Sequence, residues 1–275
     1  MKKNQFGLKR DTIDKYYTNP IIVELCLKKI KEYININEDD IIIEPSAGNG
    51  AFINGIKELS NNTFFFDLEP EHDSIIKQDY LLWKHHHLPK ISIHVIGNPP
   101  FGRQSSLAIK FIKKSCEYAE SISFILPKSF KKDSLKKHFP LNYHLFCEID
   151  IPKKSFLVNN EEYDVPCVFQ IWKRMETHRE IPEKIYPNNF KFVNKTDDAD
   201  ISFRRVGINA GKIEKNILNK SEQSHYFIKF INIELTDYIF EKLKDINFEC
   251  SNNTVGPKSI SKQELIKVYN NVLNI

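Results

Sequence analysis

The sequence predicts an α/β fold: a doubly wound, mainly parallel sheet of about seven strands, followed by a small C-terminal α+β region. Two observations predict it. Short β-branched or aromatic runs recur along the first half of the chain, at 41–43, 63–66, 91–96 and 121–126. Between several of them lie stretches whose apolar residues recur every three or four positions, as in βαβ units.

The first helix and strand are recognised by their ends. Asn19 followed by Pro20 predicts an N-cap and a first helical position. Apolar residues then recur at helical spacing over 22–30. The run 41–43 passes into a glycine-rich segment, after which the chain is amphipathic, so we predict strand, glycine turn and helix. The segment that we call the glycine turn is Glu44-Pro45-Ser46-Ala47-Gly48-Asn49-Gly50.

The next strands end at polar residues. Thr63–Phe66 ends at Asp67, Ile75-Ile76 leads to Asp79, and 91–96 ends at Gly97-Asn98. Because parallel strands share one carboxyl edge, these polar groups are expected to meet beside the glycine turn.

The rest of the sheet follows. A helix is predicted over 105–119 and a strand over 121–126. Two further runs, 143–149 and 167–172, have no long helix between them, so they predict a terminal antiparallel pair at the sheet edge. The sheet is expected to close near Arg174.

The composition changes after Arg174, which predicts one domain over 1–174 and a separate small region over 175–275. The elements expected there are a polar connector at 175–200, strands at 200–206 and 225–233, a helix near Leu235, and a helix opened by a Ser261–Glu264 capping box.

Charge and composition restrict the class of protein. The net charge of +4 suits a polyanionic partner, and five cysteines without a CxxC pair indicate reduced thiols rather than a disulfide or zinc framework. The polar, basic residues 1–10 and the lack of an apolar run of ~18 residues predict a cytoplasmic protein without secretory signal or membrane span. The consecutive His85-His86-His87 are interpreted as a solvated loop, so no metal is expected.

The glycine turn occupies the position where an open parallel sheet binds nucleotides. Gly48 and Gly50 allow positive φ and a close approach of the backbone to a ligand. Glu44 would repel a phosphate, and it suits a ligand with an amine or another cation. S-adenosylmethionine carries both an ammonium and a sulfonium group.

Two acids follow along the same edge. Asp67 has the usual place of a carboxylate that accepts bonds from ribose hydroxyls, a role that Glu69 could share; a solvated loop acid is the alternative. Asp79 could accept a bond from an adenine amino group, and Tyr80 or Phe52 could supply a stacking face.

Asn98-Pro99-Pro100-Phe101, here called the Asn98–Phe101 turn, carries the most specific chemistry. An exocyclic amine of a base is a poor nucleophile, because its lone pair is delocalised into the ring. The Asn98 side-chain oxygen and the Pro99 carbonyl can accept from its two hydrogens and so favour pyramidalisation. Phe101 offers a π-face, and the prolines stiffen the turn. Positioning and electrostatics would then do most of the catalysis.

With these residues in place, the chain resembles N6-adenine amino-methyltransferases whose cofactor motif precedes the catalytic one. The Asn98–Phe101 turn matches that catalytic motif in full, the glycine turn, with Ser46 in it, resembles the cofactor motif, and Asp67 and Asp79 fall at the later cofactor acids. Tyr16–Pro20, with Tyr17 and Thr18, resembles the segment over the methionine end of the cofactor. The resemblance covers roughly 14–172 and implies a Rossmann-like methyltransferase fold with S-adenosyl-L-methionine as cofactor.

Basic residues suggest where a nucleic acid would bind. A lysine cluster follows the predicted strand 121–126 at the edge that carries the Asn98–Phe101 turn, and a second basic pair precedes Gly207. The residues expected to contact phosphate are Lys128, Lys131, Lys132, Arg204 and Arg205.

The leading hypothesis is methylation of adenine N6 in DNA, with the base flipped out of the stack. The same chemistry on RNA is the main alternative. Protein-glutamine methylation is a third, although those enzymes usually carry Tyr as the aromatic of the motif, and a non-catalytic nucleic-acid-binding module is a fourth. The short region 175–275 leaves room for a protein partner that supplies specificity.

Overall fold

A computed structural model describes residues 16–84, 91–158, 161–231, 234 and 236–273. His85-His86-His87 lies outside the described residues. The chain divides into two compact units, Met1–Glu180 and Ile181–Ile275. The first unit extends past the expected boundary at 174, since Met175 and Arg179 of the following segment hydrogen-bond to it, and Arg174 is itself anchored. Arg174 Nη2 donates to the Cys116 carbonyl (2.8 Å), and Arg179 Nη2 donates to the Phe139 carbonyl (2.7 Å).

The helices and strands of the first unit are, in chain order, β1 (Tyr17–Thr18), α1 (Pro20–Tyr33), β2 (Ile41–Glu44), α2 (Ile53–Lys57), β3 (Asn62–Asp67), β4 (Ile76–Lys77), β5 (Ile93–Gly97), α3 (Ser106–Ser115), β6 (Ser121–Pro127), α4 (Asp133–Lys136), β7 (Tyr143–Asp150), β8 (Phe156–Val158), β9 (Glu161–Tyr163) and β10 (Cys167–Arg174). Asn19 caps α1 as predicted, since its side chain accepts from the Ile21 amide at 3.1 Å.

The central sheet has seven strands in the order β4-β3-β2-β5-β6-β10-β7. Strands β2 to β6 are parallel, and β10 runs antiparallel to both β6 and β7. The prediction of a doubly wound, Rossmann-like sheet of about seven strands with a terminal antiparallel pair is confirmed. The chain switches direction across the sheet between β2 and β5, which is where open α/β sheets bind ligands.

The two faces of the sheet bury separate apolar cores. In β2, Ile42 belongs to one core, together with residues of α1 and α2, whereas its neighbours Ile41 and Ile43 belong to the other, with residues of α3. This alternation follows from the period of two along a strand. Because both faces are covered, β2, β5 and β6 are buried along their whole length.

The second unit is a four-stranded antiparallel sheet with helices. Its strand order is β11-β14-β12-β13, and the predicted capping box is present, since the Ser261 amide donates to Glu264 (2.7 Å) and the Glu264 amide donates to Ser261 Oγ (3.3 Å). Its elements are β11 (Phe190–Val193), β12 (Ile201–Arg204), β13 (Ile213–Glu214), β14 (His225–Phe230), α5 (Asp237–Lys244) and α6 (Lys262–Leu273).

One expectation for this unit was wrong. The region 175–200, interpreted as a polar connector, contains β11, which pairs antiparallel with β14 through Phe190↔Phe230. The apolar residues Phe190 and Phe192 alternate with lysine, so the strand period was present within a polar surrounding. Within the described residues, no helix is long and apolar enough to cross a bilayer.

A buried polar cluster fastens the amino ends of three sheet strands. His94 Nδ1 lies 2.7 Å from Ser121 Oγ, and its Nε2 lies 3.4 Å from an oxygen of Asp40. All three side chains are buried. Burial lowers the pKa of His94, and Asp40 opposes that effect in part. Burial therefore disfavours protonation of this imidazole in the folded protein.

We expect the unfolding free energy to fall as the pH drops below about 6.5. The His94 imidazole is then protonated in the unfolded chain but not in the folded one, because its folded pKa is lower. The unfolding free energy should change with pH between about 6.5 and the lowered folded pKa of His94. In His94→Gln the unfolding free energy should depend less steeply on pH. Part of the dependence should remain, because burial also lowers the pKa values of His138 and His225. Urea unfolding between pH 5 and 7 measures this, with exposed His178→Gln as control. An unchanged slope in His94→Gln would contradict the assignment.

Candidate active site

A cavity of about 310 Å³ opens at the carboxyl ends of β2, β3 and β5. It brings together most of the residues predicted from sequence, but Thr18, Glu44 and Gly50 do not line it. The predicted residues that do are Tyr17, Ser46, Gly48, Asp67, Asp79, Tyr80, Asn98, Pro99, Pro100 and Phe101.

The glycine turn is held by Asp67. One carboxylate oxygen accepts from the Gly48 amide (2.8 Å) and the other accepts from the Glu69 amide (2.9 Å). Gly48 has φ +54°, as the prediction of positive φ required. Gly50 has a different role: an added Cβ would lie 2.7 Å from Ile53 Cδ1, so this glycine lets the turn pack on α2 instead of facing the ligand.

Glu44 lies buried beneath the turn. Among the described residues, nothing hydrogen-bonds to its Oε2. Burial, and secondly the nearby Asp67, raise the pKa of Glu44 well above its usual value. Gly97, at the end of β5, makes room for it, because an added Cβ would lie 3.3 Å from Glu44 Cγ. A buried carboxyl group with one unpartnered oxygen suits a cationic ligand group.

We expect Glu44→Gln to make the free protein more stable at neutral pH. A carboxyl whose folded pKa is raised contributes stability at low pH that is lost as the pH rises through that pKa, and glutamine does not ionise. The thermal midpoint should rise, while the affinity for a cationic ligand falls and its dependence on pH flattens. Scanning calorimetry and titration calorimetry measure the two effects, with exposed Glu38→Gln as the matched control. A lower midpoint would contradict this account.

Asn98 is fixed through its side-chain nitrogen and its main-chain carbonyl. Its Nδ2 donates to the Tyr16 carbonyl and to Thr18 Oγ1, each at 3.3 Å, and its main-chain oxygen accepts from Ser46 Oγ at 3.2 Å. Its Oδ1 is buried, and no described residue hydrogen-bonds to it. The predicted Thr18 thus acts through Asn98. The amide donors are engaged while the acceptor is available, as the sequence argument requires.

The segment after the Asn98–Phe101 turn is strained. Gly102, Gln104 and Ser105 have φ of +66°, +54° and +63°, and two of these are not glycine. The Phe101 carbonyl accepts from the Leu107 amide (3.1 Å), which closes the segment onto α3. This connection brings Leu107 and Phe111 to the cavity wall.

A small sheet adds a further wall. β1 pairs antiparallel with β8, and β8 with β9. The Asn19 amide donates to the Ser155 carbonyl at 3.0 Å, and the Tyr16 ring stacks on Tyr163 with centroids 5.6 Å apart. We call this sheet the β1–β8–β9 cover. Tyr17, on β1, donates from its hydroxyl to Glu71 at 2.6 Å.

Asp79 and Tyr80 complete the cavity on the β4 side. Asp79 Oδ1 accepts from the Leu81 amide at 2.9 Å, which fixes the local turn. Tyr80 is buried, and its hydroxyl bonds to Ser115 Oγ (2.7 Å) and to the hydroxyl of Tyr118. The alternative stacking residue, Phe52, is buried in an apolar core.

Sequence reasoning missed several wall residues. Leu107 and Phe111 fall within the predicted helix 105–119, and nothing in the sequence marks them as cavity residues. Glu71, Gln78 and Leu81 lie in loops without a recognisable motif. The one signal was position, because Gln78 and Leu81 flank the predicted Asp79.

The basic residues predicted to contact phosphate have protein partners. Lys131 Nζ lies 3.0 Å, and Lys128 Nζ 3.7 Å, from oxygens of Asp150. Lys132 follows them, half-buried. In the second unit, Arg204 Nε donates to the Val206 carbonyl, and Arg205 donates twice to the Gln223 carbonyl. Phosphate contact at these five residues stays a prediction. Within the described residues, no group of three or more His, Cys, Asp or Glu side chains could hold a metal ion.

Comparison with known proteins gives distant similarities. No family model matches the chain. The protein ENHANCED DOWNY MILDEW 2 of Arabidopsis thaliana is 23% identical over 253 residues, which is 78% of this chain and 19% of that protein. The chain thus spans about a fifth of the length of this curated relative.

Several solved structures that are similar to this chain are described as methyltransferases or transferases. A candidate RNA methyltransferase from Pyrococcus horikoshii has a TM-score of 0.48 at 14% identity, over 59% of this chain and 88% of that one. The 23S rRNA methyltransferase ErmE has 0.45 at 12%, over 60% and 71%. A dimethyladenosine transferase from Plasmodium falciparum has 0.42 at 14%, over 59% and 64%. The fold described above therefore rests on the strand order of this chain itself.

Proposed function

We propose that this protein transfers a methyl group from S-adenosyl-L-methionine to the N6 amino group of adenine in a nucleic acid, with DNA as the first substrate and RNA as the alternative. The observation that carries the proposal is Asn98, whose amide donors are engaged and whose Oδ1 is a buried acceptor at the cavity. An amine bound there would find the acceptor that it needs.

The cavity residues fit the proposed cofactor. Asp67, anchored at the end of β3, offers a carboxylate to ribose hydroxyls, and Asp79 one acceptor position to the adenine amino group. Glu44, with its unpartnered oxygen, lies below the turn and suits the ammonium. When bound, S-adenosylmethionine supplies an electrophilic methyl group on a sulfonium.

The chain's own residues then prepare the nucleophile. Asn98 Oδ1 and the Pro99 carbonyl accept from the two amino hydrogens, which restores lone-pair density on N6 and aligns it for displacement. Phe101 contacts the face of the base. The bound cofactor would supply the methyl group and keep the electron pair of its broken C–S bond on sulfur, and the amine would release one N–H proton to water. We further propose that region 175–275 contributes to substrate recognition.

The test is to incubate the protein with methyl-labelled cofactor and DNA, RNA and protein pools, and then to identify the modified nucleoside. We expect N6-methyladenine in the DNA pool. Label in RNA N6-methyladenine would select the alternative polymer. Label only in polypeptide, or only at cytosine N4, would overturn the proposal.

A further inference from the structure

The second unit has a cavity of its own, about 280 Å³ in volume, lined by residues of β11, β14 and the start of α6. Two aromatic rings define it. Phe192 and Tyr226 lie with centroids 5.5 Å apart at 74°. Tyr226 is backed by buried Phe203 at 6.3 Å, and its hydroxyl donates to the Ile260 carbonyl at 3.3 Å. The tyrosine ring is therefore held in a fixed position.

Cations lie over these rings. Lys262 Nζ is 4.7 Å from the centre of the Phe192 ring and 5.7 Å from that of Tyr226. The Arg205 guanidinium carbon is 5.6 Å from the centre of Tyr226. Lys195 also lines the cavity. Ring faces attract cations, so the aromatic pair holds positive charge at the cavity.

Among the described residues, the cations at the cavity are not held in ion pairs. In the part of the chain that the structure describes, no ion pair joins Lys195, Arg205 or Lys262 to a carboxylate. Lysines elsewhere in the unit differ, since Lys215 lies 2.9 Å from Asp237 and Lys229 lies 2.9 Å from Asp198.

Arg205 also has donors to spare. Its Nε and Nη2 both donate to the Gln223 carbonyl, at 3.1 and 2.7 Å, and these bonds hold the guanidinium in place. Arg205 also hydrogen-bonds to the Tyr226 side chain, and a side chain with five donors retains capacity for an anion beside these bonds. Glu222 is the one carboxylate among the lining residues, so cations outnumber acids there.

We propose that this cavity binds a nucleotide of a single-stranded nucleic acid, with the phosphate on Arg205 and Lys262 and the base against the aromatic pair. Cations outside ion pairs attract an anion, and half-buried aromatic rings at a cavity suit a flat base. A duplex keeps its base faces within the stack, whereas a single strand exposes them. The proposal concerns binding in the second unit and does not depend on methyl transfer.

The experiment uses the full chain carrying Asn98→Ala, without cofactor, so that failure of the proposed catalysis does not affect the result. Fluorescence anisotropy follows the binding of short labelled oligo(dT), oligo(U) and a duplex over a range of salt. Arg205→Gln with Lys262→Gln should weaken single-strand binding about tenfold at low salt. It should also reduce the slope of log affinity against log salt by about 0.7, since the two side chains share one phosphate and each phosphate contact contributes about 0.7. Thermal melting checks that each variant is folded.

The matched control replaces two exposed lysines outside the cavity, Lys258→Gln with Lys267→Gln, and should change affinity less than about twofold. As a second test, Phe192→Leu keeps an apolar side chain but removes the π-face, and should weaken binding about fivefold with the salt slope unchanged. Equal losses in the two double variants, no loss in the cavity variant, or duplex binding as tight as single-strand binding would overturn the proposal.

Discussion

Replacing Asn98 with alanine is expected to reduce methyl transfer at least about a hundredfold while the affinity for S-adenosylmethionine stays within about twofold of the parent, because loss of one preorganised electrostatic contact typically costs that much in rate. The Asn98 side chain contributes the buried acceptor Oδ1 and contacts the Tyr16 carbonyl and Thr18 Oγ1 through Nδ2. Alanine removes the acceptor and leaves the carboxylates of the cofactor site in place.

Single-turnover transfer with labelled cofactor measures the rate, and titration calorimetry measures cofactor affinity. Asn54→Ala is the control, since Asn54 is exposed on α2. A parallel loss of rate and cofactor affinity in Asn98→Ala would mean that Asn98 mainly shapes the cofactor site. A rate within a few-fold of the parent would contradict the catalytic role.

Replacing Asp67 with alanine should lower cofactor affinity about 30-fold, which corresponds to about 2 kcal/mol. Both oxygens of this carboxylate accept main-chain bonds, from Gly48 and Glu69. Their loss frees the glycine turn, and it also removes the acceptor proposed for the ribose hydroxyls. Asp67→Asn retains one acceptor oxygen and should lose less.

Titration calorimetry with S-adenosylhomocysteine, the neutral-sulfur product, separates this effect from the sulfonium charge. We expect the same loss with product and with cofactor, because Asp67 is assigned to the sugar they share. Asp73→Ala, an exposed acid in the following loop, removes the same charge and serves as control. If Asp73→Ala lost as much, the effect would be one of net charge and the assignment of Asp67 would be wrong.

The sheet could be predicted because its signals are local. Ile41–Ile43 and 121–126 are apolar runs that both faces of a covered sheet require, and the lack of a helix between 143–149 and 167–172 implied an antiparallel pair. The caps at Asn19 and Ser261 depend on a few neighbouring residues, and both are present. Strand β11 was missed because its short alternation stands in a polar stretch.

The candidate site was predictable only where a motif stands at a strand end. Asp67 and the Asn98–Phe101 turn follow β3 and β5 directly, so their place at the cavity follows from topology. Gly97 leaves room for the Glu44 side chain, although the two residues are far apart in the sequence. No local pattern predicts such a contact. Likewise, the sequence does not predict the ion pairs of Lys128 and Lys131 with Asp150, because they form only when β7 places Asp150 beside the two lysines.

The β1–β8–β9 cover determines when the cavity can be completed during synthesis of the chain. The ribosome makes Tyr17 and Thr18 well before their strand partners, Leu157 and Phe156. Asn98 is similarly placed by the Tyr16 and Thr18 contacts, which depend on the position of β1. Since β1 has only two residues, it has little stability before β8 arrives. A nascent chain that ends before β8 would therefore hold the glycine turn without an oriented Asn98. The cavity would be completed only after β8 has left the exit tunnel.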